Sequence, residues 1–148
     1  METYDMAKTI ITCISSGFMI AFIGVYALSG AYAASPIEGI WASTDGESKI
    51  KISQCGANFC SKVVWLKISR KDANNENAAL RDRDILGIQI SNSLKPAGSN
   101  KWAGSVYSPE KGKTYKGFAT VSGNNMTMKG CLTSAGILCQ KVNFKRSQ

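Results

Sequence analysis

The sequence contains no histidine. Without an imidazole, Ser-His-Asp and Cys-His activation of a nucleophile are excluded, as is any acid–base step that depends on histidine. The same absence, with cysteine spacings unlike those of zinc knuckles, argues against a zinc site. Acidic residues are scarce: 10 Asp or Glu stand against 18 Lys or Arg. Beyond residue 33 no stretch carries the 3.6-residue apolar period of a helix of normal length. Internal repeats and low-complexity tracts are missing too.

What is present begins with an apolar run. Residues 9–33 carry no charge and end in Ala31-Tyr32-Ala33. A small-x-small pattern after an apolar core is what a secretory signal requires, so residues 1–33 are expected to be a signal peptide cleaved after Ala33. Glu2 and Asp5 suit such a signal poorly, and Met6-Ala7-Lys8 makes a better start. The run is long enough to span a bilayer if left uncleaved, so an N-terminal anchor is the alternative. Cys13 does not fit a lipoprotein cysteine, because Ile11-Thr12 before it lacks the small residue.

Residues 34–148 then form one domain with 17 Lys or Arg and 8 Asp or Glu, a net +9. It has four cysteines: Cys55, Cys60, Cys131 and Cys139. An even count in a small exported domain predicts two disulfides. Four cysteines allow three pairings, and proximity favours Cys55–Cys60 and Cys131–Cys139, each across a hairpin turn. The expected location is the periplasm or the exterior.

Short alternating runs separated by Gly, Asn, Ser and Asp clusters predict eight strands, at residues 37–43, 47–54, 59–68, 85–91, 101–107, 113–121, 125–131 and 137–145. The one long connection, residues 69–84, has room for a helical turn. Short links between successive strands favour pairing in chain order, hence an all-β, eight-stranded antiparallel up-and-down barrel. A two-sheet sandwich is the alternative. In a barrel, the links after strands one, three, five and seven share the top. Gly39-Ile40-Trp41 and Arg146 meet at the bottom, where a guanidinium over the indole would close the base.

The period of two predicts an uncharged lumen face. It holds Trp41, Ile50, Ile52, Trp65, Leu86, Ile88, Ile90, Trp102 and Val106, then Tyr115, Ala119, Val121, Met126, Met128, Leu138, Gln140, Val142 and Phe144. Gly39, Gly104 and Gly117 fall on the same face. Such a lumen is either filled by its own side chains or holds an apolar pocket. The candidate ligand contacts are Trp65, Trp102, Tyr107, Tyr115, Met126 and Met128. Asp72, Asn75, Arg81 and Arg83 are the candidate polar site in the long loop.

Several ordered motifs resemble a bacterial exported family known as domain of unknown function 2147. They are Pro36-Ile37-Glu38-Gly39-Ile40-Trp41, Ile52-Ser53-Gln54-Cys55-Gly56 with Cys60, and Val63-Val64-Trp65-Leu66-Lys67. Further along are Asn77-Ala78-Ala79-Leu80-Arg81, Ile85-Leu86-Gly87, residues 107–115 and Lys129-Gly130-Cys131. The chain departs from the pattern at Ser61, at Ala103, at Phe144, and at Ser108, which stands where an Asp usually precedes the proline. The resemblance implies a lipocalin-like barrel closed at its base by a Gly-x-Trp and a late Arg. It implies no established activity, ligand or catalytic residue.

Two functions follow as expectations. One is a barrel that binds a small apolar or amphipathic molecule. The other is an envelope structural or interaction protein whose basic surface and 69–84 loop meet an anionic envelope component. Nucleic acid is not an expected partner of an exported protein, and a membrane is met only through the signal or anchor. An enzyme is not expected, although Asp72, Glu76, Asp82 and Asp84 supply carboxylates. No cofactor or metal is implied.

Overall fold

The computed structural model describes residues 34–147. The proposed signal or anchor, residues 1–33, lies outside the described residues. Eight antiparallel strands form one closed barrel in chain order. They are β1 (Gly39–Ser43), β2 (Ser48–Cys55), β3 (Asn58–Leu66), β4 (Gln89–Pro96), β5 (Lys101–Ser108), β6 (Lys113–Ser122), β7 (Asn125–Cys131) and β8 (Cys139–Ser147). Closure is made by β1 on β8, with Trp41 opposite Arg146 and Ser43 opposite Phe144. This pairing removes the free edges that an open sheet would present, and it sets the sandwich alternative aside. Among the described residues no helix is long and apolar enough to cross a membrane.

The base is closed by a short N-terminal segment laid across it. Ile37 and Trp41 are fully buried, and the Trp41 indole N–H donates to the Ile37 carbonyl at 2.8 Å. The Arg146 guanidinium sits 4.2 Å from the Trp41 ring centre and donates to the carbonyls of Glu38 and Pro36, both at 2.6 Å. Gly39 leaves room for this arginine: a Cβ there would lie 2.7 Å from Nη1, on a backbone with φ of 128°. The Glu38 carboxylate in turn accepts the backbone N–H groups of Ser35 and Gln54. Stacking, hydrogen bonding and the missing side chain at Gly39 thus converge on one residue, Arg146.

Above the base, Ile52, Leu94, Trp102, Ala119, Val121 and Met126 fill the lower barrel, all nearly inaccessible to water. Two hairpins are stapled by disulfides, Cys55–Cys60 at the β2–β3 turn and Cys131–Cys139 at the β7–β8 turn. They indicate an oxidising environment.

The strands depart most from the expected ones at β3 and β4. β3 carries an irregularity: Ile50 faces Val63 while Lys49 faces Trp65, which leaves Val64 without an opposite residue. One extra residue reverses the alternation. Val63 and Leu66 therefore point to the lumen, while Trp65 turns outward, 42% exposed, under the Lys49 ammonium. The fourth strand begins four residues later than the alternation suggested and continues through residues 92–96, which read as a polar turn. Ile85 donates its backbone N–H to Arg70 instead, so Ile85 is buried and Leu86, expected in the lumen, is 51% exposed. Leu94, in the supposed turn, is fully buried.

Candidate functional site

The upper half of the barrel is open. A cavity of about 610 Å³ is walled by Ile50, Val63, Val106, Met128, Val142 and Phe144. Tyr115 and Gly130 add to the wall, and Ile85 and Leu66 reach it from the loop side. Val142 is 45% and Leu138 73% exposed although both border the cavity. They are apolar side chains of the lumen that nothing in the protein covers. The volume falls in the range of small-molecule sites, about 300–1,000 Å³. The barrel is thus neither wholly filled nor wholly hollow.

The mouth lies at the end bearing the β1–β2, β3–β4, β5–β6 and β7–β8 links. It is polar, with Asp45, Glu47, Arg70, Ser108 and Glu110 around it. Asp45 accepts from the Ser43 hydroxyl at 2.6 Å and from the Glu47 backbone N–H at 3.0 Å. These bonds, the hydroxyl's first, hold its carboxyl below the ordinary value. Glu47 pairs with Lys67 on the outside at 3.1 Å. None of the lysines borders the cavity, so the excess positive charge is carried elsewhere on the barrel.

The polar residues of the long loop come together, but around one another. Asp72 is fully buried. One of its oxygens accepts from the Tyr107 hydroxyl at 2.6 Å. The other accepts from Asn75 at 2.8 Å and from Arg83, through Nε at 2.9 Å and Nη2 at 2.8 Å. Burial alone would raise the Asp72 pKa, but the bonds from Tyr107, Asn75 and Arg83 and the guanidinium charge together hold it below the usual range. Burial and then the neighbouring carboxylate push the Tyr107 hydroxyl up. Arg81 donates to the Asn75 carbonyl at 2.9 Å. This cluster clasps the loop to β5. Asp72 has both carboxylate oxygens in hydrogen bonds and does not border the cavity.

The other sequence candidates separate by height. Tyr107, Tyr115 and Met128 border the cavity. Trp102 and Met126 were expected to contact a ligand but lie in the packed lower half, because the cavity ends above them. Trp65 is outside the barrel for the reason of the extra residue in β3. Ile85 and Leu138 line the cavity from loop positions, just outside the observed β4 and β8. Leu138 was expected on the lumen face, whereas Ile85 was not, because the expected fourth strand put Leu86, Ile88 and Ile90 there.

The model of a family described as "Uncharacterized protein conserved in bacteria (DUF2147)" matches residues 39–146. The chain belongs to this family. A solved structure described as "Protein HP1028 from the human pathogen Helicobacter pylori belongs to the lipocalin family" superposes with a TM-score of 0.68 at 19% identity. The match covers 78% of this chain and 85% of that one. At that identity the likeness is one of fold, a lipocalin-like barrel. No curated relative matches.

Proposed function

We propose that this DUF2147 member is an exported binding protein of the bacterial envelope. It holds a small apolar or amphipathic molecule in the upper half of its barrel and has no catalytic role. The supporting observation is the cavity itself: apolar walls, an open polar mouth, and lumen-facing Val142 and Leu138 left exposed. Covering such side chains with a ligand is worth about 25 cal/mol per Å² of apolar surface. The disulfides and the expected signal agree with a periplasmic site of action.

A role for the 69–84 loop as a contact for anionic envelope material has less support. Five of its eight charged residues are paired within the domain, as Arg83–Asp72, Lys71–Asp84 and Glu76–Lys113. Titration with N-phenyl-1-naphthylamine, together with native mass spectrometry of protein isolated from the envelope, tests the binding function. Dye fluorescence should rise saturably and an organic extract should contain a co-purifying apolar molecule. No dye binding and no bound molecule would refute the proposal.

A further inference from the structure

The barrel wall is not uniform. Between β4 and β5 the ladder registers only at Lys95↔Ala103 and Pro96↔Trp102, near the base. Higher up, the Ser105 backbone N–H donates to the Ser93 hydroxyl at 2.9 Å, a side chain standing in for a ladder carbonyl. A cleft of about 400 Å³ lies where the two strands no longer register, bordered by Gln89, Ser91, Asn92, Ser105 and Thr114. Ile90 and Tyr107 border both this cleft and the lumen cavity. The Tyr107 side chain is held in place by the Asp72 clasp.

Two features give the cleft a chemistry. First, Ser91 borders it, is only 5% exposed, and its hydroxyl has no hydrogen-bond partner among the described residues. Ser61, opposite Ser91 in the β3–β4 register, is fully buried and likewise unpartnered. A buried hydroxyl without a partner costs about 1–3 kcal/mol, so such groups in native proteins call for an explanation. Second, none of the residues bordering the cleft is charged, in a domain with 17 basic and 8 acidic side chains. Hydroxyls and carboxamides offer both donors and acceptors. An ionised group brought among them would find no countercharge.

We infer that this cleft is the head-group subsite for the lumen's ligand. The ligand is an amphiphile whose apolar chain occupies the cavity and whose uncharged hydroxyl- or ester-bearing head is hydrogen-bonded by Ser91 and its neighbours. The inference rests on the lumen-binding function proposed above and adds the class of ligand. The mouth agrees with it: Asp45, Glu47 and Glu110 oppose an anionic head there, with Arg70 the one cation among the residues bordering the cavity.

The test is competition against N-phenyl-1-naphthylamine by three dodecyl-chain amphiphiles, each below its micelle concentration: monolaurin, laurate and dodecyltrimethylammonium. Monolaurin should displace the dye at about tenfold lower concentration than either charged competitor, as expected when a buried hydroxyl is matched rather than left unpaired. Ser91→Ala should weaken monolaurin by about five- to tenfold without lowering the melting temperature, since the hydroxyl has no bond within the protein to lose. Thr114→Val, at an exposed position on β6, provides a second variant with the same expected direction. Equal displacement by all three, tightest binding of the cationic amphiphile, or unchanged monolaurin affinity in both variants would overturn the head-group subsite while leaving lumen binding intact. Failure of the dye itself to bind would overturn both.

Discussion

Trp41 and Asp72 are both fully buried, yet they serve opposite ends of the barrel. Trp41 belongs to the base, where its indole N–H bonds the Ile37 carbonyl and Arg146 lies over its ring. Trp41→Ala removes the fully buried ring and leaves a cavity in its place. It should cost about 3–5 kcal/mol, seen as a large drop in the thermal midpoint, and a negligible drop would refute the closure assigned to it. Asp72 belongs to the upper wall, and its effect depends on pH. Folding lowers its pKa below the ordinary 3.8, so its charged form stabilises the fold fully above that value. This stabilisation is lost as pH falls through the lower, folded value. Asp72→Asn should therefore reduce stability by about 2 kcal/mol at neutral pH. The gap to the native protein should narrow in denaturation curves measured progressively below pH 4. A gap that stays constant with pH would mean that the charge contributes nothing.

At the scale of elements, the 69–84 connection is held by two attachments. One is the Asp72 clasp. The other is the β5–β6 turn, where Asn74 donates to the Glu110 carbonyl at 2.9 Å and Glu76 N–H to the Gly112 carbonyl. Gly112 has φ of 67°, and a Cβ on it would overlap the Asn74 carbonyl. Gly112→Ala should push the loop off the turn. The Asp72 and Asn75 amides should then lose protection in hydrogen exchange while the Trp41 amide at the base keeps its own; equal loss at both would contradict local release. The disulfides are a second element-scale device. They close loops of 6 and 9 residues, and each contributes about 2–3 kcal/mol by limiting the unfolded chain. Replacing Cys131 and Cys139 by serine should lower the denaturant midpoint accordingly. An unchanged midpoint would contradict that contribution. These elements also explain what alternation could and could not reveal. It located seven strands closely, together with the closing pair, because apolar residues recur at every second position along most of them. It misplaced Trp65, because nothing in Lys62-Val63-Val64-Trp65 marks which residue lacks an opposite. It missed most of β4, because Ser91-Asn92-Ser93 is polar and pairs through its backbone.

For the whole molecule, the division into a filled lower half and an open upper half is the property from which a binding function follows. It was not legible in the sequence, since Met126 and Met128, or Trp102 and Val106, share one face and differ only in height. The separation depends on where the base segment ends and how far the loops reach over the top, and both are set by tertiary contacts. The division also gives a direct test of the cavity. Val142 borders the cavity and is 45% exposed, so a larger side chain there enters empty space rather than a packed core. Val142→Trp should leave stability within about 0.5 kcal/mol, as surface substitutions do, while reducing naphthylamine affinity by about tenfold or more through lost volume. Lys141→Trp, one residue earlier on the opposite face of the same strand, adds the same indole outside the barrel and should leave affinity unchanged. Equal loss in both variants would show that the dye binds the outer surface. Loss in the first alone would locate the bound molecule within the upper barrel, above Trp41 and beside the β4–β5 cleft.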